Sequence, residues 1–283
     1  MSTVLLKIVS SFVGRLTWRS AQRLGALFGY LWYYLIPIRR GVVRANLEMA
    51  LPSRTDHRRI ARSAYCHFGT TLFELLRLPS MADDEILARV HPEGMNHFLT
   101  PFERGKGVIA ITAHFGNFDF QAVSQSLSIP LAIVSRDLRA TGVNRFWMET
   151  RRQRGLTIFP DKNGAKQILK WLRAGNVVGL TVDQRTSPTR GGLPLDFMGQ
   201  TAWTTTAPAA LALATGAALI PVHLVRRADG DHDLIVEKEI EVPTKRNSET
   251  TKKVTEKINK ILKTWVLDTP EQWMWLHKRF GQY

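Results

Sequence analysis

Cysteine is almost missing from this 283-residue chain: Cys66 is the only one. A single thiol excludes an intrachain disulfide and any cysteine-built metal cluster. Acidic side chains are also scarce, 24 Asp and Glu against 39 Lys and Arg, for a formal net charge of +15. That imbalance selects anionic partners: a nucleic acid, an acidic protein or an anionic membrane. The first fifty residues hold seven basic side chains and one acidic one, Glu48. Their apolar run, Leu24 to Ile38, is fifteen residues long. As a helix it covers about 22 Å, short of the roughly 30 Å hydrocarbon core. No small-residue cleavage site follows it, which argues against a cleaved signal peptide. Internal repeats, low-complexity tracts, a Gly-x4-Gly-Lys phosphate loop and zinc-ligand spacings are all lacking.

What is present centres on residues 107–120. Val108 to Ala113 is uncharged and rich in β-branched residues, as a strand buried on both faces should be. His114 ends it, Gly116 supplies a turn residue, and Asn117 is placed to cap a helix that continues through Phe118 and Phe120. The reading is strand, tight turn, helix, with an imidazole at the carboxyl end of the strand, where open α/β sheets bind their ligands. Asp119 follows His114 by five residues. The spacing predicts that its carboxylate folds back from the first helical turn onto the ring, fixing the tautomer of a general base. No Ser or Cys stands beside His114 as a nucleophile, so the base would activate a substrate hydroxyl directly.

Further elements alternate along the chain. Residues 54–78 read as an amphipathic helix ended by Pro79, and residues 94–103 as a shorter one. Leu131 to Ser135 is a second buried strand, followed by Arg136 to Arg139 at the same sheet edge. Residues 143–154 are helical and carry Arg151, with Gly155 as the terminating glycine. Leu156 to Phe159 is a strand and residues 164–174 a helix. Val177 to Val182 is a third uncharged strand, ending in Asp183, Gln184 and Arg185. Thr186 to Leu193 is a loop able to flank a cleft. A small-residue helix follows over 204–215, then a strand at 219–225, an edge strand over 234–242 and a basic helix over 248–267. Trp273 and Trp275 read as core closure, and His277 as a weaker base candidate. Strands alternating with helices imply an α/β sheet. Two strands ending in chemistry place the site at one edge.

His114-Phe-Gly-Asn-Phe-Asp119 resembles the His-x4-Asp/Glu motif of glycerolipid-type acyltransferases, and more closely that of the lipid A late acyltransferases. Arg44-Ala-Asn-Leu47 before Pro52, Arg151-x3-Gly155, Val182-Asp-Gln-Arg185, Phe197-Met-Gly199 and Pro270-Glu-Gln-Trp-Met-Trp-Leu-His277 match in family order. Asp119 stands where the lipid A enzymes usually carry Glu. The resemblance implies a single α/β domain with a mixed, largely parallel sheet flanked by helices, glycerol-3-phosphate-acyltransferase-like. It divides the chain into an N-terminal membrane-associated helical segment, 1–50, and an acyltransferase domain, 51–283. It implies acyl transfer from an acyl thioester on acyl carrier protein to a hydroxyl of a lipid A precursor, without metal or cofactor, at the cytoplasmic face of a bacterial inner membrane. In the implied site His114 is the base, Asp119 orients it and Arg151 stabilises the oxyanion. Asn117, Arg136, Asp183, Gln184 and Arg185 line the substrate. The alternatives are a different membrane lipid as acceptor, or a basic nucleic-acid- or membrane-binding protein without catalysis.

The N-terminal run is expected to lie in the membrane interface, with a single span as the alternative. Arg15, Arg19 and Arg23 would form one basic stripe on its helix.

Overall fold

The computed structural model describes residues 2–136 and 140–281. Seven strands form the central sheet in the order β1-β9-β8-β2-β5-β3-β4. They are β1 (Val90–Glu93), β2 (Val108–Thr112), β3 (Leu131–Ser135), β4 (Thr157–Pro160), β5 (Val177–Thr181), β8 (Ala218–Arg226) and β9 (His232–Val236). Every pairing is parallel except β8 with β9. The sheet is therefore mixed and largely parallel, with helices on both faces. Period-2 alternation sorts its side chains. Ile109 and Ile111 of β2 face one core, with Leu172 and Ala212. Val108 and Ala110 face the other, with Phe98, Phe120 and Val123.

Helices α9 (Ala165–Arg173), α10 (Ala207–Thr215) and α11 (Ser248–Asp268) supply the first core, and α5 (Asp83–Ala88), α6 (Asn96–Glu103) and α7 (Phe118–Ser126) the second. The helix α8 (Thr141–Gln153) connects β3 to β4. Two expectations need correction. The strand at 232–236 is internal, since β1 covers it and takes the edge. Only four residues long and containing Pro92, β1 carries no periodic signal. Residues 192–205 are neither loop nor helix start but an antiparallel hairpin, β6 (Gly192–Phe197) and β7 (Gln200–Thr205). Its two-residue turn, Met198-Gly199, has positive φ at both positions, the geometry a tight hairpin prefers.

The N-terminal region is three helices: α1 (Thr3–Gly14), α2 (Trp18–Leu35) and α3 (Arg40–Ala50). The expected arginine stripe is split, because Arg15 terminates α1 while Thr17 caps α2. No helix among the described residues is long and apolar enough to cross a membrane. Helix α2 lies against α4 (His57–Arg77) along a glycine seam. A Cβ on Gly29 would stand 2.0 Å from the Tyr65 carbonyl, and one on Gly69 2.2 Å from that of Gly25. The backbones touch, so neither helix can give way by rotating a side chain. Gly29→Val should therefore destabilise the fold by at least ~1–3 kcal/mol, read as a lower thermal midpoint by circular dichroism. Gly41 in α3 meets nothing within 4 Å, and Gly41→Ala is the control, expected to be neutral or stabilising by under about 1 kcal/mol.

Candidate active site

Thr112 of β2 pairs in parallel with Thr181 of β5. Two residues beyond each lie His114 and Asp183, so strand register alone delivers an imidazole and a carboxylate side by side. His114 Nδ1 is 2.8 Å from Asp183 Oδ1. Asp183 Oδ2 accepts from the Trp273 indole at 2.8 Å, and the residue is only 3% exposed. Burial pushes its carboxyl up, but the His114 charge and the hydrogen bonds from His114 and Trp273 win and hold it at about 2. An ionised carboxylate can only accept, so Nδ1 carries the proton and Nε2 presents its lone pair. The Gln184 amide nitrogen stands 3.2 Å from that Nε2 and donates to it.

Asp119 does not orient His114. Its carboxylate accepts from Trp147 Nε1 at 2.9 Å and from Arg151 Nε and Nη2 at 2.8 and 2.5 Å. Asp119 sits in the first turn of α7, where α8 presents a guanidinium and an indole together, while the neighbouring Phe118 ring packs on His114 at 4.7 Å. The pair Asp119–Arg151 is thus a buried brace between α7 and α8. Arg151 also reaches Ser135 Oγ at 3.2 Å, which leaves little of its fork for an oxyanion. The sequence signal for Asp183 is two uncharged strands, each followed at the same offset by a titratable group; that the two strands are neighbours is what the structure adds.

The turn after His114 is clamped from several sides. Gly116 has φ +57, and a Cβ there would lie 1.7 Å from the Leu224 carbonyl. Met274 N–H donates to the His114 carbonyl and Gly116 N–H to that of Gln272, both at 2.9 Å. Asn117 is fully buried, so its expected substrate contact is corrected. Its Oδ1 caps α7 at Phe120 N–H (3.0 Å), and its Nδ2 donates to Glu74 Oε2 (2.8 Å).

Arg136 is exposed and shares Asp161 with Arg190 of the 186–191 loop, at 2.7 and 3.0 Å. The rest of its expected cluster, residues 137–139, lies outside the described residues. The Arg185 side chain is exposed, and its N–H donates to His277 Nε2 at 3.1 Å. His277 therefore accepts, and burial lowers it to about 4. It is a neutral prop of the site wall.

A narrow pocket of about 40 Å³ opens beside His114. Val43, Tyr65, Phe68, Phe118, Trp275 and Leu276 make its wall apolar and aromatic. It lies between α3, α4 and the segment after α11. It has room for a few waters.

A histidine backed by a buried carboxylate, with its Nε2 at the carboxyl edge of the sheet and an apolar pocket beside it, can deprotonate a hydroxyl. Residues 2–282 match the family model described as bacterial lipid A biosynthesis acyltransferase. The chain is 28% identical to the lipid A biosynthesis lauroyltransferase of Escherichia coli (strain K12) over 262 residues, 91% of this chain and 84% of the relative. It is 24% identical to that organism's lipid A biosynthesis palmitoleoyltransferase, over 91% and 83% of the two chains. A phosphatidylinositol mannoside acyltransferase of Mycolicibacterium smegmatis is 26% identical over 60% of this chain and 57% of its own. Among solved structures, the 1-acyl-sn-glycerophosphate acyltransferase of Thermotoga maritima aligns at 13% identity over 84% of this chain and 96% of its own, with a TM-score of 0.38. The molecule is an acyltransferase. It belongs to the bacterial lipid A biosynthesis acyltransferase family.

Proposed function

We propose that this enzyme transfers a fatty acyl chain from a thioester on acyl carrier protein to a hydroxyl of a lipid A precursor held in a membrane. The observation that carries the reading is the His114–Asp183 pair, with His114 Nε2 facing the Gln184 amide. His114 takes the proton of the acceptor hydroxyl as the oxygen attacks the thioester carbonyl. Asp183 stays ionised and stabilises the imidazolium. The tetrahedral intermediate collapses, the C–S bond breaks, and the thiolate leaves with the proton that His114 returns. In this reading the arriving hydroxyl displaces the Gln184 amide from Nε2, and that amide becomes the donor to the oxyanion. Arg151 is committed to Asp119 and serves the site by bracing it. The acidic carrier is attracted by the net charge of +15. The test is mass spectrometry of vesicle lipid after incubation with protein and acyl carrier thioester. A new ester on the glycolipid is expected; thioester turnover without one would refute the acceptor.

An acceptor with several acyl chains does not leave a bilayer, since each exposed methylene costs about 0.8 kcal/mol. The N-terminal helices supply the contact. Val4, Ile8 and Phe12 on α1 are 68%, 61% and 64% exposed. Leu27, Leu31 and Leu35 on α2 are 52%, 44% and 71% exposed, again at helical spacing. Each is an exposed apolar stripe, with the exposed Arg15, Arg19 and Arg23 following the first and leading into the second along the chain, and they fit helices lying in the interface. Deleting residues 1–40 would also remove Trp18 and Ala21, which are core, so substitution is the cleaner test. Ile8→Gln, Leu27→Gln and Leu31→Gln together should abolish co-sedimentation with anionic vesicles and transfer to bilayer acceptor. Hydrolysis of soluble thioester and the melting temperature should persist. Undiminished sedimentation would move the membrane contact elsewhere.

A further inference from the structure

Glu74 of α4 is fully buried and charged. Its Oε1 accepts from Gln22 Nε2 at 2.6 Å and from Arg226 Nε at 2.9 Å. Its Oε2 accepts from Asn117 Nδ2 at 2.8 Å and from Arg226 Nη2 at 2.5 Å. Gln22 belongs to α2, on the side opposite the exposed leucines, and also donates to the Gly230 carbonyl at 2.6 Å. Asn117 belongs to the catalytic turn. One carboxylate therefore holds the lipid-facing helix with one oxygen and the turn behind His114 with the other. The same cluster grips the turn a second time. Arg226 can only donate, so His67 Nδ1 accepts from it, and His67 Nε2–H donates to the Gly116 carbonyl at 3.2 Å.

Stability does not explain such a cluster, because apolar side chains of the same volume would serve at least as well. What it adds is fixed geometry. We propose that Glu74 is a positioning residue that couples the seating of α2 on a bilayer to the placement of the catalytic turn. The coupling rests on the reading of α2 as lipid-facing and of His114 as the base. Its physical content is that Asn117 can keep both its cap on α7 and its bond to Glu74 only while α2 holds the carboxylate in place. An α2 that shifts along its glycine seam drags Gln22, and Glu74 with it. The enzyme would then be slow in solution and competent on the surface that carries its acceptor.

The variant of choice is Gln22→Met, which cuts the α2 tie, keeps the volume and leaves Glu74, Arg226 and Asn117 untouched. In the parent, phosphatidylglycerol–phosphatidylethanolamine vesicles should slow hydrogen exchange of the amides in 115–121, which include the Phe120 N–H capped by Asn117. Gln22→Met should sediment with vesicles as the parent does, lose that slowing, and lose about tenfold or more in kcat. Its acceptor KM should stay within about threefold. A second variant supplies a pH readout. Gln22→Glu places a carboxyl against Glu74, with Arg226, His67 and His232 as the other charged or titratable neighbours. Protonated, its single O–H can replace the Gln22 donor to Glu74; ionised, it repels. Its activity relative to the parent should therefore fall from about pH 6 to about pH 9, while the Gln22→Met ratio stays flat.

A parent that sediments with unchanged exchange, a Gln22→Met protein with parental kcat, or a flat Gln22→Glu ratio would overturn the coupling. A parent that fails to sediment would overturn the lipid-facing reading and the coupling with it. The exchange arm needs no chemistry, so it decides the matter even if His114 proves not to be the base.

Discussion

Replacing His114 by Asn should abolish acyl transfer to within the background, a loss of about 10²–10⁴ or more, while the protein keeps its fold. The amide was chosen for a structural reason. Asp183 is buried and ionised, and its two oxygens are met by His114 and Trp273. His114→Ala would strip one oxygen of its donor and add an unsatisfied buried charge, worth about 1–3 kcal/mol or more of destabilisation. An Asn side chain can still donate to Asp183 but has no basic nitrogen. Activity should therefore fall equally in the two variants, with the melting temperature falling chiefly in His114→Ala. Purified His114→Asn enzyme transferring acyl groups at the parental rate would remove His114 from the chemistry.

Asp183→Asn should cost about 10³–10⁴ in kcat, and the cause is a tautomer forced by a neighbour. The Trp273 indole donates, so the amide oxygen of the new Asn turns to it and the NH₂ faces His114 Nδ1. Two donors cannot share that contact. The ring must then accept at Nδ1 and carry its proton on Nε2, where a base is needed. Asp119→Asn offers the contrast. It leaves the Arg151 guanidinium short of its counter-charge between α7 and α8, so it should cost about 3–5 kcal/mol of stability and much less in kcat at a temperature where the protein is folded. Equal kcat losses in the two variants, with no difference in stability, would return Asp119 to the role that spacing suggested. The pH behaviour agrees in sign. Asp183 is lowered from 3.8 to about 2 by folding. Its contribution to stability is whole above the unfolded value and fades as the pH drops through that interval.

The contrast between the two aspartates shows what a linear sequence displays. Val108 to Ala113 and Val177 to Val182 were legible as buried strands because every residue in them is apolar or small, and His114 was legible because chemistry follows so uniform a run. That the strands are neighbours was not legible. Adjacency is decided by crossovers around 65 residues of intervening chain, and the nearer carboxylate, five residues away, looked like the partner. The glycines of α2 and α4 hid in the same way: Gly25 and Gly29 belong to a run that reads as uniformly apolar, and the α4 backbone at Tyr65, Cys66 and Gly69 opposite explains them. The break at Leu16–Thr17 was missed because the arginine spacing continues across it. Burial of Asn117 follows from Glu74, 43 residues upstream, and no local pattern announces a contact of that kind.

The clamp on the catalytic turn has a consequence for biosynthesis. His114 and Asp183 both leave the ribosome well before Trp273, which follows Asp183 by 90 residues. Until then the carboxylate lacks its indole donor, and the turn lacks the backbone bonds from Gln272 and Met274. Since chains fold progressively as they emerge, a growing chain can assemble the sheet and remain inert. An acyltransferase released half-made, with its site open to water, would spend activated acyl groups on hydrolysis. Placing the final strut of the site so late in the chain means that incomplete copies of this enzyme, whether stalled or truncated, carry no such liability.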